Sequence, residues 1–225
     1  MIFLGILFTI VISYLLGSIN SSIIVCRIFK KKDIRDYGSH NAGLTNTLRV
    51  FGKKCAVFTL IGDLAKGIIA VIVSKYFCVA IGLAESFGSE EIFFIGYVAG
   101  IAAILGHIFP IYYHFRGGKG VLVGVSVFII IDWKAFLAMI VIFAIVLAIS
   151  KYVSLGSMIA AVFCPIITFV SQFFIYKMST GYVILDTVLA ACMAVIIIFM
   201  HRSNIERLKN GTENRFSFSN SGKSK

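Results

Sequence analysis

Charged residues are scarce in this sequence of 225 residues, where they make up 14% of the chain. In an average soluble domain they make up about a quarter. The hydrophobic share is correspondingly high, at 59%, and the mean hydropathy is +0.97. A water-soluble fold of this length cannot bury so much apolar surface, so lipid must be the solvent for much of the chain. The sequence therefore predicts an integral membrane protein.

Three further absences narrow the possible classes. No two of the five cysteines form a C-x-x-C pair, and each lies in or beside an apolar run, which argues against a metal site and a disulfide framework. The first segment, Ile2 to Cys26, lacks charge, a positive start and a small-residue cleavage site, so it is read as an uncleaved span. No internal repeat is visible, which disfavours a transporter built from inverted repeats.

Long apolar runs, separated by clusters of charge or glycine, predict an all-α polytopic membrane protein with about seven transmembrane helices. The runs cover residues 2–26, 55–83, 92–113, 120–131, 134–150, 153–176 and 182–200. The run 120–131 is short for a span, and 134–150 is near the lower limit. A count of five or six spans therefore stays open.

Basic residues are distributed unevenly about these spans. Seventeen of the 21 lysines and arginines fall on one side, which the positive-inside rule identifies as the cytoplasm. We expect the N-terminus outside, a single domain over residues 1–215, and a disordered cytoplasmic tail over residues 216–225, which are rich in Ser, Asn, Gly and Lys. The cluster Lys30–Lys32 is read as a topology and anionic-lipid signal. A net charge of +11 could suggest nucleic acid, but in a membrane chain the position of the charges says more.

Two glycine-containing polar stretches have the chemistry of anion sites. The first, GSHNAGLTNTLR over 38–49, offers hydroxyls, amides and free N–H groups, and Arg49 adds a guanidinium fork. The second, GHIFP over 106–110 with FRGGKG over 115–120, predicts a loop that leads into a helix N-terminus. It is not a Walker P-loop, because Gly120 follows Lys119 where Ser or Thr is required. Each stretch alone could also be a structural turn.

Two more polar groups lie inside or directly after spans. Asp63 and Lys66, three residues apart, can share a helix face and pair, and charges within a membrane are functional candidates. The run HRSNIERL over 201–208, followed by NGTEN over 210–214, places polar residues near one helix face if the last helix continues. SLGS over 154–157 adds two hydroxyls. Together the four groups predict one site at the cytoplasmic surface for a phosphate ester and a lipid.

These stretches, in this order, resemble the motifs of the bacterial acyl-phosphate:glycerol-3-phosphate acyltransferase family over about residues 1–215. The resemblance implies transfer of a fatty acyl group from acyl phosphate to the 1-hydroxyl of glycerol 3-phosphate, forming lysophosphatidic acid in the first step of phospholipid biosynthesis. It implies a multi-pass protein of the bacterial inner membrane with cytoplasmic active-site loops and no nucleotide or metal cofactor. The implied partners are the two substrates, the bilayer and the enzyme that forms the acyl phosphate, with no nucleic acid.

The resemblance also assigns residues. The catalytic residues implied are Ser39, Lys119, His201 and Asn204. The substrate-binding residues implied are Asn41, Thr45, Asn46, Arg49, Asp63, Lys66, Gly117, Gly118, Gly120 and Ser154. Arg49 and Lys119 are expected to hold phosphate groups. The base that deprotonates the attacking hydroxyl stays open between His201 and a phosphate oxygen of a substrate.

The chain departs from the family pattern at three positions. His40 replaces a usual glycine and Leu44 a usual alanine, and both are expected to alter the loop beside the site. Asn20 replaces a usual proline, with an expected effect on a helix end only. No histidine has an aspartate five residues on, which separates this chain from the acyl-CoA-dependent enzymes that use His-x4-Asp. The rival classes are an anion transporter, which needs a polar path through the spans, and a basic membrane scaffold, which does not need the glycine–lysine loop.

The charge distribution makes the topology testable. A reporter fused after Lys225 should lie in the cytoplasm, and one inserted near Ser89 should lie outside, because the loop 84–91 holds three glutamates and the opposite side holds most of the basic residues. Accessibility labelling of intact cells measures both positions. Opposite results at both points would overturn the orientation of the site.

Overall fold

The computed structural model describes residues 1–83 and 90–216, which form a helical bundle. Its α-helices, in chain order, are α1 Ile2–Ser18, α2 Ser21–Lys30, α3 Leu44–Ala80, α4 Glu90–Ile108, α5 Val121–Ile131, α6 Trp133–Ser150, α7 Val153–Val170, α8 Thr180–Met200 and α9 Arg202–Lys209. Short 3-10 turns cover Ile34–Asp36 and Ile111–Tyr113, and a π-helical segment, Ser171–Ile175, follows α7. The all-α polytopic fold predicted from the sequence is confirmed.

Six helical segments are long and apolar enough to cross a membrane. They are Ile2–Lys30, Leu44–Ala80, Glu90–Tyr113, Trp133–Ser150, Val153–Ile175 and Thr180–Met200. The seventh predicted span, 120–131, is the 11-residue helix α5, about 16 Å long at 1.5 Å per residue. Asp132 separates it from α6, because its carboxylate accepts the first backbone N–H groups of α6, at 3.1 Å from Lys134 and 3.0 Å from Ala135. The run that the sequence marked as short for a span is thus a separate short helix, and six long spans lie within the range that the sequence left open.

Helix α5 packs antiparallel to the middle of its neighbour α4. A side-chain carbon at Gly120 would contact Ile104, and one at Gly96 would strike Ile131, so the two ends of α5 face different parts of α4. We call the end of the bundle that carries Ser39, Lys119 and His201 the site end. Helix α5 leads away from the site end, and α6 brings the chain back to it.

The first predicted span is divided. Helix α1 ends at Ser18, and Asn20 caps α2 by accepting the backbone N–H of Ile23 at 3.1 Å. The Asn20 amide also donates to the carbonyl oxygen of Ala42 at 3.4 Å. The sequence predicted that Asn20 affects only the end of a helix. In the structure it also holds the loop that precedes α3.

Helix α3 begins 11 residues before the apolar run that predicted it. Residues 44–54 include three basic side chains and were read as loop, but they are helical up to a kink at Gly52, where φ is 83°. Thr45, Asn46 and Arg49 consequently lie on the first turns of a helix. That placement fixes the direction of their side chains toward the site end.

Close backbone contact between α1 and α4 supports this end of the bundle. A side-chain carbon at Gly17 would strike the carbonyl oxygen of Ala103, and one at Gly106 would strike that of Tyr14. Only glycine allows the two helices to approach so closely. The Tyr14 hydroxyl, in turn, donates to the carbonyl oxygen of Phe109 at 2.8 Å, just before the glycine–lysine loop.

The chain beyond α9 folds back on the bundle. The backbone N–H of Phe216 donates to the carbonyl oxygen of Lys151 at 2.7 Å. Residues 84–89 and 217–225 lie outside the described residues, so the predicted disordered tail and the glutamate-containing loop stay predictions.

Candidate active site

A cavity of about 390 Å³ at the site end gathers side chains from distant parts of the sequence. Its polar and charged lining consists of Ser39, Asn41, Thr45, Asn46, Arg49, Asp63, His107, Lys119, Ser154, Ser157, His201, Asn204, Arg207, Glu213, Asn214 and Arg215. Its apolar lining includes Leu44, Leu48, Val121, Leu122, Phe143, Val153 and Phe216. A polar, mainly cationic part thus adjoins a hydrophobic one.

The structure brings most of the sequence-predicted residues to this cavity. Those that line it are Ser39, Asn41, Thr45, Asn46, Arg49, Asp63, Lys119, Gly120, Ser154, His201 and Asn204. Three do not. Gly117 and Gly118 line a second cavity of about 280 Å³ that shares Lys119, and Lys66 is buried behind Asp63 and His107.

The lining residues that were not assigned to the site from the sequence include His107, Ser157, Arg207 and Glu213. A signal existed for two of them. His107 is a polar residue inside a predicted span, which marks a functional candidate. Glu213 is a carboxylate on the strongly basic side of the membrane, where charge pairing is expected. For Ser157 and Arg207 only their neighbours pointed to the site.

Asn46 organises the loop between α2 and α3. Its side-chain oxygen accepts the backbone N–H of Ser39 at 3.0 Å, and its amide nitrogen lies within 3.4 Å of three loop carbonyl oxygens, those of Ile34, Tyr37 and Asn41. The side chain is 2% exposed. Asn46 therefore shapes the cavity mainly by fixing the backbone that presents Ser39 and Asn41.

His40 shows how the chain tolerates a departure from glycine. Its φ is 57°, in the left-handed region that glycine adopts most easily. The ring Nδ1 lies 2.9 Å from the carbonyl oxygen of Arg35, and a donated hydrogen bond there offsets part of the strain. Arg35 itself donates to the carbonyl oxygens of Tyr113 and Arg116 at 2.9 and 3.1 Å, which joins this loop to the glycine–lysine loop.

The glycine–lysine loop closes back on the end of α4. Gly117 and Gly118 donate their N–H groups to the carbonyl oxygens of Ile108 and His107 at 3.0 and 3.1 Å. Gly120, with φ of 82°, turns the chain into α5, whose start has no side-chain cap. The loop thus leads into a helix N-terminus, as the sequence predicted, and the first N–H groups of α5 have no side-chain acceptor.

Glu213 is the hub of a hydrogen-bond network in the cavity wall. It accepts from Ser154 at 2.8 Å, from Asn204 at 2.8 Å and from Arg207 at 2.7 Å. Burial raises the pKa of Glu213, but these donors outweigh burial and hold that pKa below its usual value. Because the Asn204 nitrogen faces Glu213, its oxygen faces Lys119 and accepts a hydrogen bond from the ammonium group. The network thus orients the Lys119 side chain through Asn204.

His201 sits between α8 and α9, so the last helix does not continue through the motif as one element. Its Nδ1 lies 2.7 Å from the carbonyl oxygen of Ile197, which can only accept, so Nδ1 carries a proton. Burial and, to a lesser extent, the charge of the nearby Lys119 lower the pKa of His201 to about 4, so the ring is neutral near pH 7. Its Nε2 therefore presents a lone pair, as a general base requires.

Comparison with known proteins agrees with this geometry. Residues 7–211 match the family model of glycerol-3-phosphate acyltransferase. The chain belongs to this family. It is 40% identical to a glycerol-3-phosphate acyltransferase of Enterococcus faecalis, over 92% of this chain and 90% of that protein, and 38% identical to one of Chlorobaculum tepidum, over 93% and 95%.

Two crystal structures of a family member, the integral membrane glycerol 3-phosphate acyltransferase PlsY, share this fold. The glycerol 3-phosphate form matches with a TM-score of 0.76 and 31% identity, over 94% of this chain and 96% of that one. The lysophosphatidic acid form matches with a TM-score of 0.76 and 30% identity, over 94% and 95%. The family assignment therefore rests on sequence and on three-dimensional structure.

In the cavity of this chain, the cationic side chains outnumber the carboxylates that pair with them. Glu213 pairs with Arg207, and Asp63 pairs with Lys66, whereas Arg49 has no ion pair or hydrogen bond with the residues described. Burial, and then the charge of Arg207, lower the pKa of Lys119 to about 8. The cavity therefore favours an anion, which would restore the full charge of Lys119.

The lowered pKa of Lys119 predicts pH-dependent anion binding. Sulfate is a suitable probe because it stays a dianion across the range. Its affinity should fall by up to about tenfold per pH unit above 8, where Lys119 loses its proton. In Lys119→Arg, which stays charged, this fall should be absent although the affinity is lower overall. Calorimetry on detergent-solubilised protein from pH 6 to 10 measures both, and an identical fall in the variant would contradict the assignment to Lys119.

Proposed function

We propose that this protein transfers a fatty acyl group from acyl phosphate to the 1-hydroxyl of glycerol 3-phosphate, with lysophosphatidic acid and inorganic phosphate as products. The observation that carries the proposal is the cavity itself, in which unpaired cations adjoin an apolar wall. Family membership and the similarity to crystal structures in glycerol 3-phosphate and lysophosphatidic acid forms support it. The acyl-phosphate donor is the part that experiment must test.

Both substrates carry phosphate, and the cavity offers separate cations for them. Arg49 provides a planar fork from α3, and Lys119 provides a compact ammonium from the glycine–lysine loop. Ser39 and Asn41, presented by the Asn46-held loop, supply further polar contacts. Such fixed donors mainly position the reactants and stabilise the charge that develops on the leaving phosphate.

The proton of the attacking hydroxyl needs an acceptor in the cavity. The hydroxyl oxygen attacks the acyl carbon, the bond from that carbon to the phosphate oxygen breaks, and inorganic phosphate leaves. The neutral His201, with its free Nε2 lone pair, takes the hydroxyl proton and passes it to the departing phosphate. Asn204 is adjacent on the same motif and holds Lys119 toward that phosphate.

The apolar wall suits the acyl chain. Leu122 and Phe143 come from α5 and α6, and Phe143 also packs against Gly156 of α7. Helix α6 exposes several large apolar side chains on its other face, as expected for a helix against lipid. With the site end in the cytoplasm, glycerol 3-phosphate reaches the cavity from water and acyl phosphate from the inner membrane, where the enzyme that forms it is an expected partner.

The interior of the bundle disfavours the anion-transport alternative. Beyond the cavity, buried apolar residues such as Ile104, Val127 and Phe128 fill the space between α4 and α5. The polar pair Gln172 and Asp186, joined at 2.9 Å, lies on the far side of this core. In the part of the chain that the structure describes, a transporter's polar path would have to cross that packed layer.

The donor is tested by direct turnover. Purified protein in detergent should form lysophosphatidic acid from acyl phosphate and glycerol 3-phosphate, while acyl-CoA should fail even at high concentration, since the chain lacks His-x4-Asp. Mass spectrometry of the lipid product measures both reactions. Robust turnover with acyl-CoA and none with acyl phosphate would refute the proposed donor.

The two phosphate cations are tested by matched charge removals. Lys119→Ala and Arg49→Ala should each lower activity by about two orders of magnitude, because each removes a charge-assisted contact worth ~3 kcal/mol. Lys30→Ala, with the same charge change at an exposed position, should cost less than about threefold. Initial rates are compared after equal membrane insertion and folding are verified. Equal activity of the Lys119 and Lys30 variants at saturating substrate would show that the glycine–lysine loop is only a turn.

A further inference from the structure

The His107 side chain lies in the cavity wall, in the last turn of α4, next to the glycine–lysine loop. It is 4% exposed, and its surroundings include two charged groups, Asp63 and Lys66. The resemblance to the family gave this histidine no role, and the reaction described above does not use it. The hydrogen bonds around it determine what it can do.

The Lys66 ammonium group has three close polar contacts. It lies 3.0 Å from the carbonyl oxygen of Ile19, 2.9 Å from Oδ1 of Asp63 and 2.7 Å from Nδ1 of His107. The contacts with Ile19 and His107 are hydrogen bonds, in which the ammonium group donates, and the contact with Asp63 is an ion pair. The buried charge is thus paired and hydrogen-bonded, as burial of a charge requires.

This arrangement fixes the protonation of His107. An ammonium group only donates, so Nδ1 of His107 must accept, and the single proton of the neutral ring sits on Nε2. A second proton on Nδ1 would set two donors against each other at 2.7 Å. Lys66 and Asp63 therefore hold His107 as the neutral Nε2–H tautomer.

The Nε2–H group lies against the anion-binding loop. A side-chain carbon at Gly118 would strike Nε2, so only glycine leaves room for the ring directly before Lys119. The same carbon would lie 2.6 Å from the carbonyl oxygen of Ala42, in the loop that presents Ser39. Among the described residues no acceptor forms a hydrogen bond with this Nε2–H, and His107 lines the cavity. The site therefore contains an uncommitted neutral donor beside the lysine.

We propose that His107 is a further substrate-binding residue, whose Nε2–H donates to a phosphate oxygen of the anion held at the Lys119 loop. Lys66 and Asp63 are positioning residues that fix its tautomer. The inference rests on the proposed function, since it deepens the account of the same site. The phosphate belongs either to glycerol 3-phosphate or to acyl phosphate, because both present the same oxygens. His201 has the opposite tautomer, with its proton on Nδ1 and its lone pair on Nε2.

The tautomer is tested on the wild-type protein, so that no variant has to fold. Protein labelled with ¹⁵N-histidine in detergent should show one buried Nε2–H and one buried Nδ1–H histidine, assigned to His107 and His201 by loss of each signal on substitution. Adding glycerol 3-phosphate or inorganic phosphate should shift the His107 Nε2–H resonance. An Nδ1–H tautomer at His107, or a resonance that neither ligand moves at saturation, would overturn the proposal.

A pair of variants tests the donor in turnover. His107→Gln places an amide N–H near the position of Nε2, whereas His107→Asn reaches only as far as Nδ1. The glutamine variant should keep both KM values within about threefold, and the asparagine variant should raise one KM by about tenfold or more, the loss expected for a hydrogen bond to a charged group. The KM that rises identifies which substrate carries the phosphate. Two variants with the same KM values would refute the assignment.

Controls separate this inference from the proposed function. His114→Asn, at an exposed histidine with φ of 56°, should leave both KM values unchanged. If wild-type protein turns over acyl phosphate while His107→Asn matches His107→Gln, only the role of His107 fails. If wild-type protein binds glycerol 3-phosphate with the predicted resonance shift but forms no lysophosphatidic acid, the proposed reaction fails and the binding role stands.

Discussion

Backbone carbonyl groups that are buried outside a helix must find donors within the protein, because burial separates them from water. At the site end one side chain meets much of this need, since the Asn46 amide lies within hydrogen-bond distance of three loop carbonyl oxygens. Arg35 does the same for two carbonyl oxygens of the glycine–lysine loop. These two residues allow irregular backbone, with its free N–H groups, to stand where an anion can reach it. The rest of the site depends on that support.

The second constraint is electrostatic. A protein that binds phosphate groups beside lipid must keep cations unpaired, and unpaired buried cations are unfavourable. The chain resolves this differently at each position. Lys66 is neutralised by Asp63 and serves as structure, Arg207 is neutralised by Glu213, and Arg49 stays exposed. Lys119 is the exception, because burial lowers its pKa to about 8 and an amide oxygen is its partner. Its full charge is recovered when an anion binds.

Glu213 gives the segment after α9 a part in the site. This carboxylate joins α7 and α9 through Ser154, Asn204 and Arg207, and the following backbone bonds to Lys151. The segment 212–216 therefore closes one side of the cavity. The same segment orients Asn204 and, through Asn204, the Lys119 side chain.

The sequence alone determined the membrane class, the helical fold, the approximate spans and most of the lining residues. Apolar run length predicts the number of spans well where a run is long. It left the short run 120–131 open, and the structure shows that one carboxylate, Asp132, caps a new helix there. Run length also missed the first turns of α3, because polar and basic residues such as Asn46, Arg49 and Lys53 interrupt the apolar positions of that segment. The Asp63–Lys66 pair was predictable because three-residue spacing places both on one helix face.

Only the tertiary structure decided what each polar residue contacts. His107 meets Lys66 across 41 positions, and Lys119 meets Asn204 across 85, so neither contact follows from local spacing. The opposite tautomers of His107 and His201 depend on which neighbour each ring nitrogen faces, an ammonium group in one case and a carbonyl oxygen in the other. A sequence names the titratable residues, but the packing of the helices chooses their partners, and the partners set the position of each proton.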